Sequence, residues 1–328
     1  SSDLQGSLHC QSALCVRLCS MTPPLYASKD NRQAVLRFAP SPNGPLHRGH
    51  ALSVWLNAQV AQRLKGRLLL RIEDIDPARS RPEHIEAIEE AFDWLGVTYE
   101  RPVRRQSHFM AEYVQAFETL TARGVVYPCF CTRTEIEAAI REKGTDWPSD
   151  PDGSPLYPQT CRALSGAEIA ARLAKGDKPQ WRLDHVKAMA LTGPLTWTSF
   201  DPETLATTTH QARPERWGDV VLVRKDTPTS YHLSVVVDDA IQGITHIVRG
   251  MDLEAATDIH RLVQALLGLP QPLYWHHPLI NGPDGKKLAK SKASDSLAVE
   301  REAGLTRSAL LEDFRRAGVL MDTENSKP

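Results

Sequence analysis

With 39 lysines and arginines against 40 aspartates and glutamates, the 328-residue chain has a formal net charge of −1. That balance excludes a globally basic nucleic-acid binder and leaves any RNA contact to local patches. A hydrophobic content of 41% and a charged content of 24% are those of a soluble globular protein, and no apolar run approaches the roughly 20 residues of a membrane helix.

Residues 1–31 hold Cys10, Cys15 and Cys19 but no signal peptide, because the short run SALCVRLC is interrupted by Arg17. This stretch is set apart as a disordered or non-native extension, with Met21 a candidate start. A second trio, Cys129, Cys131 and Cys161, lies in the middle of the chain. Two odd groups argue against a disulfide framework and for a reducing, cytoplasmic setting.

The body of the chain opens with the apolar run AVLRFA, stopped by the stiff stretch that ends in LHRGH. Pro40, Pro42 and Pro45 fix φ and withhold donors, so a rigid loop is expected. Leu52, Trp55, Leu56, Val60 and Leu64 then follow at helical spacing. RLLLRIED reads as a buried strand, residues 82–96 as a helix with proline in its first turn and glycine at its end, and 108–124 as another helix. This alternation predicts an α/β fold, a Rossmann-like doubly wound and mostly parallel sheet, whose first half spans 32–125. Residues 126–215 are short and proline-rich, and read as an inserted subdomain. The α/β pattern resumes over 216–292 with WGDVVLVRKD, YHLSVVVDDAIQG and HIVRG. A short helical segment, 293–328, closes the chain.

Strand, stiff loop and helix place His47, Gly49 and His50 at a helix start, where free N–H groups and the helix dipole favour an anion. Two histidines three apart project from one side of that turn and can hold phosphate oxygens as charge shifts. Taken alone, HRGH also fits two ordinary loop histidines. Likewise KKLAKSK (286–292) fits a solvated basic loop as well as a triphosphate clamp.

In combination, these segments resemble the class I aminoacyl-tRNA synthetases. His47-Arg48-Gly49-His50 corresponds to their HIGH motif and Lys287-Leu288-Ala289-Lys290-Ser291 to their KMSKS motif. RFAPSPNGPLHRGHA, LLLRIEDID, VVYPCFCT, VVVDDAIQGITHIVRG and KKLAKS together are similar to the glutamyl-tRNA synthetase catalytic core. Arg48 stands where isoleucine is usual and Ala289 where serine is usual. The resemblance implies that His47, His50, Lys287 and Lys290 are catalytic, and that Pro40, Gly49 and Ser291 join His47, His50 and Lys290 around ATP. It assigns glutamate to Arg37, Ser41, Glu73, Tyr231 and Arg249. Asp238 and Asp239 are read as capping a strand.

Cys129, Cys131 and Cys161 have metal-like spacing with one ligand short, and no histidine lies between Cys131 and Cys161. A structural Zn²⁺ would hold this polar, proline-rich loop together. Asp152 or water can complete the site, and Tyr157 is the fourth ligand that the resemblance suggests. After Ser291 too little sequence follows for anticodon-reading helical domains, so the chain looks like the truncated relatives called glutamyl-queuosine tRNA(Asp) synthetases. That likeness implies a monomer that activates L-glutamate with ATP and Mg²⁺ without tRNA. The glutamate then goes to queuosine in the anticodon arm of tRNA(Asp). A minimal synthetase charging tRNA(Glu) and a catalytically silent RNA-binding paralogue are the alternatives.

Overall fold

Residues 33–144, 146–280 and 296–321 are described by the computed structural model. Residues 1–31 and Lys287, Lys290 and Ser291 lie outside them.

The four residues of β1 (Val35–Phe38) are all buried, as befits a strand covered on both faces. The proline loop follows, then α1 (Arg48–Arg63), which sinks Leu52, Trp55, Leu56 and Val60 into the core. β2 (Arg67–Ile72) pairs in parallel with β1, Val35 opposite Arg67. α2 (Pro82–Leu95) begins on its proline and stops at Gly96, whose φ of 66° is left-handed and suits glycine. β3 (Glu100–Arg105) then pairs in parallel with β2, and α3 (Met110–Ala122) follows.

β4 (Val126–Cys129), α4 (Arg133–Lys143), α5 (Gly166–Ala174), β5 (Gln180–Leu183) and α6 (His185–Thr192) follow in order. Next come β6 (Thr196–Phe200), β7 (Thr207–Gln211) and β8 (Val221–Val223). β4, β5 and β8 form a small antiparallel sheet. β6 and β7, although within the 126–215 stretch, belong to another sheet. That sheet has the order β7–β6–β10–β9, with β9 (His246–Gly250) and β10 (Leu273–His277) parallel to one another and β6 parallel to β10. The four-stranded sheet and the β1–β2–β3 sheet meet at β1, where the N–H of Thr245, just before β9, donates to the Val35 carbonyl at 3.0 Å.

Between β8 and β9 lies α7 (Tyr231–Ile241). This corrects the reading of VVVDD as strand. Every residue from Leu233 to Asp239 is buried, so α7 shows no solvent face, and its run of valines mimics a buried strand. α8 (Ala256–Leu267) packs against it.

The C-terminal helices, α9 (Leu297–Glu302) and α10 (Arg307–Arg316), pack on α1, with the Phe314 ring edge-on to Trp55 at 5.5 Å. Arg48 ties them to the start of α1 through Glu300 and Asp313, both at 2.8 Å. Among the described residues, no helix is long and apolar enough to cross a membrane.

Candidate active site

One cavity of about 640 Å³ opens at the C-terminal ends of β1, β2 and β9, the usual place for a ligand on such a sheet. Arg37, Pro40, Ser41, Glu73, Tyr231 and Arg249 line it, and so do His47, Gly49 and His50. Every described residue that the sequence assigned to glutamate or ATP thus faces the same space. Ile280 lines it too, and Ser296 bridges to His47.

The histidine turn owes its shape to its own side chains. Gly49 N–H donates to His47 Nδ1 at 3.1 Å, and His47 N–H donates to His50 Nδ1 at 3.1 Å. This is a capping box built from imidazoles, which occupies two of the donors at the helix start. A nitrogen that accepts from backbone carries no proton, so each neutral ring bears its hydrogen on Nε2. The motif therefore offers two imidazole N–H groups rather than bare backbone N–H groups. A Cβ on Gly49 would sit 3.0 Å from His47 Cε1, so a larger residue there would push the ring.

Behind the floor lies a buried charge network. Arg37 Nε donates to Asp239 Oδ1 at 3.0 Å, and Arg71 donates to the same oxygen at 2.7 Å. Arg71 also reaches Glu73 at 3.1 Å and lies 3.7 Å from Asp238. Asp238 takes further bonds from Arg104 at 2.8 Å, Gln106 at 2.6 Å and the Tyr113 hydroxyl at 3.0 Å. Burial pushes the Glu73 carboxyl above its usual range, against the pull of Arg71 and Arg37. Burial acts the same way on Asp239, but there Arg37 and Arg71 prevail and hold it low. Asp238 and Asp239 cap nothing; they are the counter-ions of the cavity wall. The signal that could have found them is a pair of adjacent acids inside an apolar run, since buried carboxylates need partners.

Beside Tyr231, three buried or half-buried histidines are held neutral. Burial and the Arg249 charge push His276 down to about 3 and His232 to about 4, and His260 also lies well below its usual value. In the unfolded chain these groups titrate near pH 6.5. Their contribution to stability is therefore complete above that pH and is lost as pH falls toward the folded values. Between pH 7 and pH 5 the loss is about 1–2 kcal/mol each for His232 and His276. A urea midpoint measured at both pH values should drop on acidification, and His232→Gln should flatten the slope. A midpoint that holds or rises at pH 5 would contradict the buried, neutral assignment.

Away from the cavity, the sulfurs of Cys129, Cys131 and Cys161 lie within 4.8 Å of one another. The Tyr157 Oη is 3.2 Å from Cys129 Sγ and 3.5 Å from Cys131 Sγ. A tetrahedral zinc with bonds of about 2.3 Å to sulfur and 2.0 Å to oxygen sets S···S near 3.8 Å and S···O near 3.5 Å. The four groups therefore fit one such ion. Asp152 is exposed and stands outside the cluster.

Residues 33–326 match the family described as class I tRNA synthetases (E and Q), catalytic domain. The chain is 43% identical to a glutamyl-Q tRNA(Asp) synthetase of Rhodobacter capsulatus, over 82% of this chain and 95% of that protein. It is 36% identical to a protein of the same name from Symbiobacterium thermophilum, over 87% of each. A glutamate–tRNA ligase 2 of Dinoroseobacter shibae is 35% identical over 86% of this chain, which spans only 60% of that protein. Among solved structures, the glutamate-tRNA synthetase of Elizabethkingia anophelis superposes with a TM-score of 0.65 at 26% identity. That match covers 80% of this chain and about half, 53%, of the solved one. The chain therefore belongs to the class I tRNA synthetases of the E and Q type, and it is a ligase of that kind.

Proposed function

We propose that the cavity joins L-glutamate to ATP as glutamyl-adenylate, without tRNA, and that the glutamate then passes to queuosine at the wobble position of tRNA(Asp). The observation that carries the first step is the meeting of two arginines, one glutamate and the two-histidine helix start around one space. A dicarboxylate with an α-ammonium group needs that set of charges. Arg37 and Arg249 meet the side-chain carboxylate, with Ser41 and Tyr231 beside it, and Glu73 meets the ammonium. The α-carboxylate oxygen attacks the α-phosphorus; a new O–P bond forms as the bond to pyrophosphate breaks. The Nε2–H groups of His47 and His50 stabilise the phosphate oxygens while charge moves, and Pro40 and Gly49 shape the nucleotide floor. Lys287, Lys290 and Ser291 are assigned to this step from their motif alone. Mg²⁺ would enter with ATP, held chiefly by its phosphates. A queuosine hydroxyl then attacks the mixed anhydride, and AMP leaves.

Support for queuosine as acceptor is the degree of likeness: 43% identity to the R. capsulatus protein named for that reaction, against 35% to the tRNA-charging ligase. The first step is tested by ATP–pyrophosphate exchange driven by L-glutamate with no RNA present. Exchange that needs tRNA would overturn the tRNA-independent reading.

Cys129, Cys131, Tyr157 and Cys161 hold one structural Zn²⁺ in this reading, and the reducing setting that keeps three thiols free is the cytoplasm. When bound, the ion cross-links β4 to the loop carrying Tyr157. Purified protein should contain about one zinc per chain, and Cys161→Ser or a strong chelator should lower the thermal midpoint by several degrees. Zinc well below one per chain, with a midpoint indifferent to chelator, would remove the claim.

A further inference from the structure

We propose that Thr257, His260 and His276 are positioning residues that hold the Arg249 guanidinium through neutral acceptors only, reserving its charge for a carboxylate of the incoming substrate. The inference rests on the glutamate reading above and names the part of the pocket that makes it work.

Arg249 is 5% exposed and lines the cavity. Its Nε donates to His276 Nε2 at 3.3 Å, one terminal nitrogen to Thr257 Oγ1 at 2.8 Å, and the other to His260 Nδ1 at 3.4 Å. The tautomers are mutually consistent. An accepting Nδ1 on His260 leaves its proton on Nε2, which faces His232 Nδ1 at 3.3 Å. The Thr257 hydroxyl accepts from Arg249 and lies 3.1 Å from His276 Nε2, whose single lone pair it shares with Arg249 Nε–H. The Tyr274 ring lies 5.6 Å from the guanidinium. None of these groups is an anion.

Buried guanidinium groups ordinarily stand beside a carboxylate, because an uncompensated buried charge is costly. The other two arginines of this wall obey that rule, for Arg37 and Arg71 share Asp239. Among the described residues, no carboxylate lies within ion-pair distance of Arg249. Three of its five N–H groups meet neutral acceptors, and its charge is unmatched. A substrate carboxylate supplies the missing charge, whereas an internal acid would compete with it. Two arginines thus line one pocket, but only Arg249 brings a full positive charge to it.

The test uses matched pairs that differ in charge and hardly in shape: Thr257→Asn against Thr257→Asp, and His260→Asn against His260→Asp. Glutamate-dependent ATP–pyrophosphate exchange is measured on the wild type first, then on each pair. Within a pair, the aspartate variant should have a KM for glutamate on the order of 30-fold higher or more, as expected for loss of a desolvated charge pair. Its kcat and its KM for ATP should stay within about threefold of the asparagine partner, and its thermal midpoint should be no lower. A merely structural role would move all of these together. Equal KM values for glutamate within both pairs would overturn the proposal and leave the substrate reading standing. A wild type that fails to exchange with glutamate would overturn both. If one pair does not fold, the other decides.

Discussion

Replacing His50 with alanine is expected to lower kcat for glutamate-dependent ATP–pyrophosphate exchange by roughly 10²–10³-fold, the usual loss when one donor to a developing oxyanion is removed. His50 has two jobs in the turn. Its Nδ1 caps the His47 N–H, and its Nε2 carries the proton proposed to meet phosphate. Loss of the cap alone costs about 1 kcal/mol of stability, a shift of only a few degrees in a domain of this size. The fall in kcat should therefore exceed anything the melting curve predicts. KM for glutamate should change little, because the charges assigned to that substrate sit on β1, β2 and β9. A kcat within threefold of wild type would remove His50 from the reaction.

Arg71→Met is expected to destabilise the protein by about 3–5 kcal/mol, the range for breaking a buried ion pair from one side. Arg71 is wholly buried and faces Asp239, Glu73 and Asp238. Without it the three carboxylates keep only Arg37 and Arg104 as nearby cations. Glu73 and Asp239, both pulled down by Arg71, should then titrate higher in the fold. The sign follows: a carboxyl raised on folding loses less stability at low pH, so the deficit of the variant should shrink between pH 7 and pH 5. Urea unfolding at both pH values measures this. A loss below about 1 kcal/mol, or one independent of pH, would mean that the network does not depend on Arg71 for its charge balance.

What the sequence disclosed was what its local grammar encodes. Prolines before a helical apolar face marked the loop and α1, and Pro82 with Gly96 bounded α2 to within a residue. The cavity residues, which the likeness to the synthetases picked out, lie around one space at strand ends and helix starts. Other features were hidden for a physical reason. The helix α7 is buried on every side from Leu233 to Asp239, so its sequence carries no period to separate helix from strand. Arg48, which stands where the motif usually has isoleucine, joins α1 to both C-terminal helices across more than 250 positions of sequence. Thr257, His260 and His276 match no motif, and their meaning depends on Arg249, which only the fold brings near. The departure of β6 and β7 from the small sheet is likewise a matter of long-range pairing, invisible to composition.

Which RNA receives the glutamate decides the function. The deciding measurement is transfer of labelled L-glutamate, with ATP and Mg²⁺, onto queuosine-containing tRNA(Asp), the same tRNA lacking queuosine, and tRNA(Glu). Label confined to the queuosine-containing tRNA(Asp) is the predicted result. Label on tRNA(Glu), or equal label on tRNA(Asp) with and without queuosine, would contradict it and make the chain a ligase of another acceptor.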